Sequence, residues 1–190
     1  MNPDDPRARR SRARLRTTIL ELAADKDPAA ITMSEVARHA GVNRATVYQH
    51  FPDIDALVTD AMDDAVAHVA RAAALCPLDA PRDEAPPPLA ELFQHVADHA
   101  PLYRRMLGAH GSALFSARLR ERLTAELGAS FRQGRRPPGY GDVPVDTHAA
   151  YLAGALTGVI ATWITDTTPA PPPETALAFW RLFRPQPPGE

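Results

Sequence analysis

Ile31–Phe51, ITMSEVARHAGVNRATVYQHF, reads as two short helices joined by a tight turn. Thr32 and Glu35 form a capping box: the Thr32 hydroxyl accepts the Glu35 backbone N–H, and the Glu35 carboxylate reaches back to the Thr32 N–H. A helix therefore starts at Met33, with Val36 and Ala37 on its apolar side. It stops near Ala40, because Gly41 is the residue best able to take the left-handed conformation that ends a helix. Asn43 can cap a second helix, Arg44 to His50, on which Val47 faces inward while Arg44, Ala45, Tyr48 and Gln49 remain on outer faces. This spacing predicts a helix-turn-helix.

Charge is distributed in keeping with that reading. The chain of 190 residues has a net charge of −2, yet residues 7–50 hold nine basic and four acidic groups while residues 51–190 hold twelve and seventeen. A basic head on an acidic body suits a DNA binder with a separate second domain, since attraction to phosphate is local on the scale of the ~8–10 Å Debye length. Chance clustering of arginines in a solvated tail is the alternative. The single cysteine, Cys76, excludes an intramolecular disulfide and a cysteine-rich zinc site, and the N-terminus lacks an apolar run resembling a signal peptide. Even Tyr151–Ile164, the most apolar stretch, is interrupted by Gly154, Thr157, Gly158 and Thr162, so no membrane span is expected and the cytoplasm is the expected location.

The run ITMSEVARHAGVNRATVYQHFPDIDAL closely resembles the N-terminal domain of the TetR family of transcriptional regulators, in its AGV turn, its TVYQHF recognition helix and the Phe51 to Leu57 lead into the next helix. The resemblance covers residues 10–60. It implies an all-α protein with a three-helix head and a larger helical-bundle C-terminal domain. One departure is Ile54, where the family commonly carries a lysine, so a phosphate contact expected there is missing. At matching positions the resemblance gives Arg44 to a guanine edge and Gln49 to an adenine or a phosphate, with Ala45 allowing close approach or meeting a thymine methyl. It gives Thr46, Tyr48, His50, Ser34 and the helix start near Thr32 to phosphates. Tyr48 is also large enough to be partly core, and His50 can simply cap its helix.

Along the chain, residues 1–8 are expected to be disordered. Arg7, Arg9, Arg10, Arg12, Arg14 and Arg16 crowd the start of a first helix that continues through Leu15, Ile19, Leu22 and Ala23 at helical spacing. These arginines can follow phosphates as an N-terminal arm or be a solvated tail. The boundary between lobes falls at 52/53. From Asp53, a capping residue, Ile54, Leu57, Val58, Ala61, Met62, Ala65, Val66, Val69, Ala70 and Ala73 keep a three-four rhythm that predicts one long helix over 54–75, linking head to body. Pro77, Pro81 and Pro86 to Pro88 then mark a non-helical, disordered loop. Helices follow over Leu89–Ala100, Pro101–Leu107, Ala113–Phe131, Pro144–Thr167 and Glu174–Phe183, the third burying Phe115, Leu119, Leu123, Leu127 and Phe131. No stretch reads as a strand.

On the penultimate helix Ala150, Gly154, Gly158 and Thr162 form a small-residue line that permits close helix approach, with Trp163 among the bulky residues beside it. The line can pack the monomer core. In the family resembled, the last two helices of each subunit form a four-helix dimer interface, and a lone helix-turn-helix gains affinity and specificity from a second half-site. Phe93, His95, His99, Tyr103, Met106, His110, Phe115 and Tyr151 are candidates to line an apolar cavity with a few polar groups, the usual build of a small-molecule site, or are plain core. His95 and His99 have one possible metal spacing but no third ligand, so no metal is expected. No Gly-rich phosphate loop or G-x-S-x-G elbow is present, and Cys76 has no neighbouring histidine, so neither catalysis nor a cofactor is expected. The resulting expectation is a homodimeric regulator, by default a repressor, released from a palindromic operator by a small apolar effector that changes the tilt of helix 54–75. Alternatives are a body that only dimerises or recruits a protein partner, and an enzyme or metal-binding helical protein with an accidental reading head.

Overall fold

Side-chain caps set the boundaries of the head. In the computed structural model, which describes residues 6–77 and 80–183, α1 spans Pro6–Asp25 and is followed by a 3-10 turn at Pro28–Ala30. The Asp27 carboxylate opens that turn by accepting the Ala29 N–H at 2.9 Å. Helix α2 (Met33–Ala40) starts on Thr32, whose hydroxyl accepts from Glu35 N at 3.3 Å, and stops on Gly41 at φ 60°, the left-handed conformation anticipated for it. Asn43 caps α3 (Arg44–His50) and Asp53 caps α4 (Ile54–Ala61), the latter through a 2.7 Å bond from Ala56 N. Leu15, Ile19, Val36, Val47 and Leu57 have no exposed surface and belong to the core that α1, α2, α3 and α4 share, with α3 seated on α2.

Several boundaries differ from the sequence expectation. Residues 6–8 are helical rather than disordered, because Pro6 is tolerated at a helix start and Ala8 is buried; residues 1–5 lie outside the described residues. The single helix expected over 54–75 is two, α4 and α5 (Asp63–Ala74), meeting at Met62 with φ −83° and ψ 5°. The bond ladder nevertheless carries across: Met62 N donates to Val58 O and Val66 N to Met62 O, both at 2.9 Å. Of the proline-rich segment, residues 78 and 79 are outside the described residues, and Pro87 and Pro88 open α6 (Pro87–Asp98) instead of preventing it, since a helix's first turn needs no proline N–H.

The body continues with α7 (Ala100–Leu107), α8 (Ala113–Arg132), α9 (Val145–Thr165) and α10 (Pro172–Phe183). Helix α8 lies along α9 and α5, and α6 packs between α5 and α10. The expected inner line of α8, Phe115, Leu119, Leu123, Leu127 and Phe131, is buried throughout. Tyr103, Phe93, Phe115 and Trp180 are the largest fully buried side chains, and Phe93 meets Trp163 edge-on at 5.4 Å between centroids. Among the described residues there is no strand, and no helix is long and apolar enough to cross a membrane.

Candidate functional site

Helix α3 buries one side chain, Val47, and thereby turns its other faces outward. Arg44, Ala45 and Gln49 are exposed, Tyr48 is 46% exposed, and the Arg44 guanidinium stands 5.7 Å over the Tyr48 ring. Thr32 and Ser34 are exposed at the start of α2, where unpaired N–H groups favour an anion, and Thr46 is half-buried. His50 differs from the other seven. It is half-buried beside Phe51, its Nε2 has no hydrogen-bond partner, and burial followed by the nearby Arg12 charge holds its pKa below the ordinary histidine value. Glu35 is engaged by Lys26: its carboxylate accepts from Lys26 Nζ at 2.5 Å, which, with the Thr32 backbone N–H, lowers its pKa. Ile54, the departure from the family pattern, is half-buried against the core, so packing explains it.

The N-terminal arginines do not form a separate arm. They lie on α1, and Arg12 and Arg16 face Asp60 of α4, with the Arg12 guanidinium 5.8 Å over the Phe51 ring. Arg9, Arg10 and Arg14 remain exposed.

On α9, Ala150, Gly154, Gly158 and Thr162 are all exposed, and a methyl group added at either glycine would meet nothing within 4 Å. Mid-helix glycine costs about 0.5–1 kcal/mol relative to alanine, and nothing inside the protomer requires it here. Tyr151, 70% exposed, follows Ala150 on this helix, and Leu182 on α10 is 79% exposed. Trp163 is not on that open surface. It is buried within the protomer, donating its indole N–H to Ala170 O at 2.8 Å, because one further residue around the helix turns it toward Phe93.

The eight residues expected around a ligand do not converge. Phe93, Tyr103, Met106 and Phe115 are fully buried together with half-buried His95, whereas His99, His110 and Tyr151 are exposed. His110 borders an open cleft between the end of α1 and the end of α7, and Tyr151 belongs to the outer α9 surface. Within the buried group, the Tyr103 hydroxyl and His95 Nε2 lack a partner among the described residues, although buried polar atoms are nearly always bonded. Burial raises the Tyr103 pKa, and burial aided by His99 and His68 pulls His95 down to about 4, so both groups are neutral at pH 7. His68 of α5, not singled out by helical spacing, lies 4.7 Å from the His95 ring and was hidden by sequence distance. Among the described residues no group of His, Cys, Asp and Glu is arranged to hold a metal ion.

A cavity of about 40 Å³ lies elsewhere, at the far end of the body from the head. Leu89, Leu127, Phe131, Leu156 and Trp180 line it, with Cys76, Ser130 and Arg135 as its polar groups. Burial pushes the Cys76 thiol up to about 12, which leaves it an unreactive core group.

Two family profiles match the chain: bacterial regulatory proteins of the tetR family over residues 15–61, and a transcriptional regulator C-terminal region over residues 83–184. Among curated proteins no sequence matches significantly. Solved structures that share the fold include a TetR transcriptional regulator from Rhodococcus sp. RHA1, at 21% identity and TM-score 0.66, covering 91% of this chain and 93% of that one. The TetR family repressor AlkX from Dietzia sp. is 18% identical with TM-score 0.64, covering 96% and 95% of the two chains. Thermus thermophilus FadR, a TetR family transcriptional repressor in complex with lauroyl-CoA, is 16% identical with TM-score 0.63, covering 94% and 98%.

Proposed function

The chain belongs to the TetR family of bacterial transcriptional regulators, and on that premise we propose that it represses transcription from the cytoplasm by binding a palindromic operator as a homodimer. The observation that carries this reading is α3, anchored by one buried valine with Arg44, Ala45, Tyr48 and Gln49 turned to solvent. Arg44 reads a guanine edge, Gln49 an adenine or phosphate, and Ala45 admits the backbone close to the base. Thr32, Ser34, Thr46 and Tyr48 hold phosphates, and His50 contributes as a neutral donor at the rim. The second half-site comes from a second copy joined through the open α9 face at Ala150, Gly154, Gly158 and Thr162, with Tyr151 and Leu182 supplying apolar area.

Release follows when a small, largely apolar molecule enters the body between α6, α7 and α8 and takes up the Tyr103 hydroxyl and His95 Nε2. The relative from Thermus, held with lauroyl-CoA, supports a ligand-responsive body in this fold. Displacing the regulator fully requires ~5.5 kcal/mol of differential binding. A second reading, in which the body only dimerises or binds a protein partner, is favoured by the full burial of Phe93, Tyr103, Met106 and Phe115 where the ligand would enter.

Selection of bound sequences from random duplexes at fixed salt tests the DNA reading. The expected result is an inverted repeat, lost on Arg44→Ala with a decrease of about 10- to 100-fold in affinity. Enrichment of no sequence, or equal binding by the variant, contradicts it. For the body, a compound that lowers operator affinity in the native chain but not in Tyr103→Phe supports the ligand reading, and a screen in which only protein partners alter binding favours the second.

A further inference from the structure

The α4–α5 segment carries Asp55, Asp60, Asp63 and Asp64, and each meets an arginine. The partners divide by lobe. Asp60 and Asp64 face Arg12 and Arg16 of α1 in the head, whereas Asp55 meets Arg105 of α7 at 2.9 Å and Asp63 meets Arg118 of α8 at 3.2 Å in the body. The link between lobes is therefore gripped from both sides.

The four carboxylates are not equivalent. Asp60's side chain is 9% exposed, while Asp55, Asp63 and Asp64 are 43%, 49% and 96% exposed. Exposed pairs contribute little, but a buried carboxylate needs its partner. Arg12 satisfies it in a two-point fork, Nε donating to Oδ2 at 3.0 Å and Nη2 to Oδ1, and Arg16 Nε stands 3.8 Å from Oδ2. A fork of this kind fixes orientation as well as distance. The same Arg12 guanidinium covers the ring of Phe51, the residue that terminates α3. Asp60 lies two positions before Met62, where α4 gives way to α5.

From this juxtaposition we propose that Asp60 is a positioning residue for DNA reading: through Arg12 it locks the angle of the reading helix to the α4–α5 link and so fixes the separation of the two α3 helices in the dimer. This rests on the proposed operator-binding dimer. Two heads held at a fixed separation demand one spacer length between half-sites, because half-site spacing mirrors protein geometry. Loosened heads tolerate several.

The test measures equilibrium binding of the full-length chain to duplexes that share the selected half-sites but differ by one or two base pairs in the spacer, at one salt concentration. The native chain is expected to favour one spacer by on the order of tenfold or more. Asp60→Asn and Arg12→Gln are expected to bind the best duplex about tenfold more weakly and to flatten the spacer preference, with base preference inside each half-site unchanged. Arg12→Lys, which keeps charge without the fork, falls between them, and Asp64→Asn follows the native profile. If Asp60→Asn does not fold, Arg12→Gln carries the test, since the Arg12 side chain is 53% exposed. Folded, dimeric variants that keep the native spacer profile, even with uniformly weaker binding, overturn the proposal. Failure of the native chain to select any inverted repeat is a different result, and removes the operator-binding dimer on which the proposal stands.

Discussion

In the head, Asp27, Thr32, Asn43 and Asp53 each accept a backbone N–H at the start of a helical segment, whereas α5, α6, α7 and α9 of the body begin with no side-chain cap. Ser112, which accepts from Phe115 N at the start of α8, does this work in the body. The head is thus organised by short-range polar signals around a modest core, and the body by long-range burial of Phe93, Tyr103, Phe115 and Trp180. Function follows the same division: the head, His50 and Thr59 apart, turns its polar side chains outward for a partner, and the body holds Tyr103 and His95 inside without one.

Four measurements bear on this contrast. The largest effect is expected for Phe115→Ala, in the body, at about 3–5 kcal/mol by chemical denaturation; a loss below about 1 kcal/mol would mean burial does not organise the body. Next comes Asn43→Ala, which removes the α3 cap at a cost of about 1 kcal/mol. Its loss should be visible as faster amide exchange in α3, and an effect as large as that of Phe115→Ala breaks the distinction between lobes. Tyr103→Phe, which deletes a buried hydroxyl with no partner, is expected to raise stability by up to about 1 kcal/mol. A lowered denaturation midpoint would instead show that the hydroxyl is bonded in solution.

The last effect vanishes at neutral pH and grows as the pH falls. His95 is held down to about 4, first by burial and then by His99 and His68, with Asp98 acting the other way. Its ordinary value is 6.5, so between pH 6.5 and 4 the unfolded chain binds the proton and the folded one does not. Stability should therefore be level above pH 6.5 on this account and decline as pH falls toward 4, with His50 and His148 acting in the same direction through their lowered values. His95→Gln should reduce that slope when melting temperature is followed against pH, and an unchanged slope would assign the dependence to other groups.

Helix type and order were legible because periodicity and caps are local. Thr32, Asn43 and Asp53 announced their helices, and Gly41 its turn, through chemistry within four residues of each bond. The Met62 irregularity was not legible, since its backbone bonds continue and no proline or glycine marks it. Nor was the partition of Arg12 and Arg16 toward Asp60, a contact separated by 48 positions between Arg12 and Asp60. In the body, helical spacing could assign Phe93 and Phe115 to an inner face but could not place His110, Tyr151 and Trp163 around it, because a single residue's rotation decides between core and surface. His68 reached His95 across two helices that only packing brings together.

On the proposed function, two copies of α3, joined through the α9 surface, meet one duplex. Sedimentation of the chain alone and with a duplex carrying the selected sequence measures this directly. A particle of twice 20.6 kDa is expected in the absence of DNA and two chains per duplex in its presence, with Gly154→Leu reducing both. A 20.6 kDa species that binds DNA one chain at a time with full affinity would contradict it.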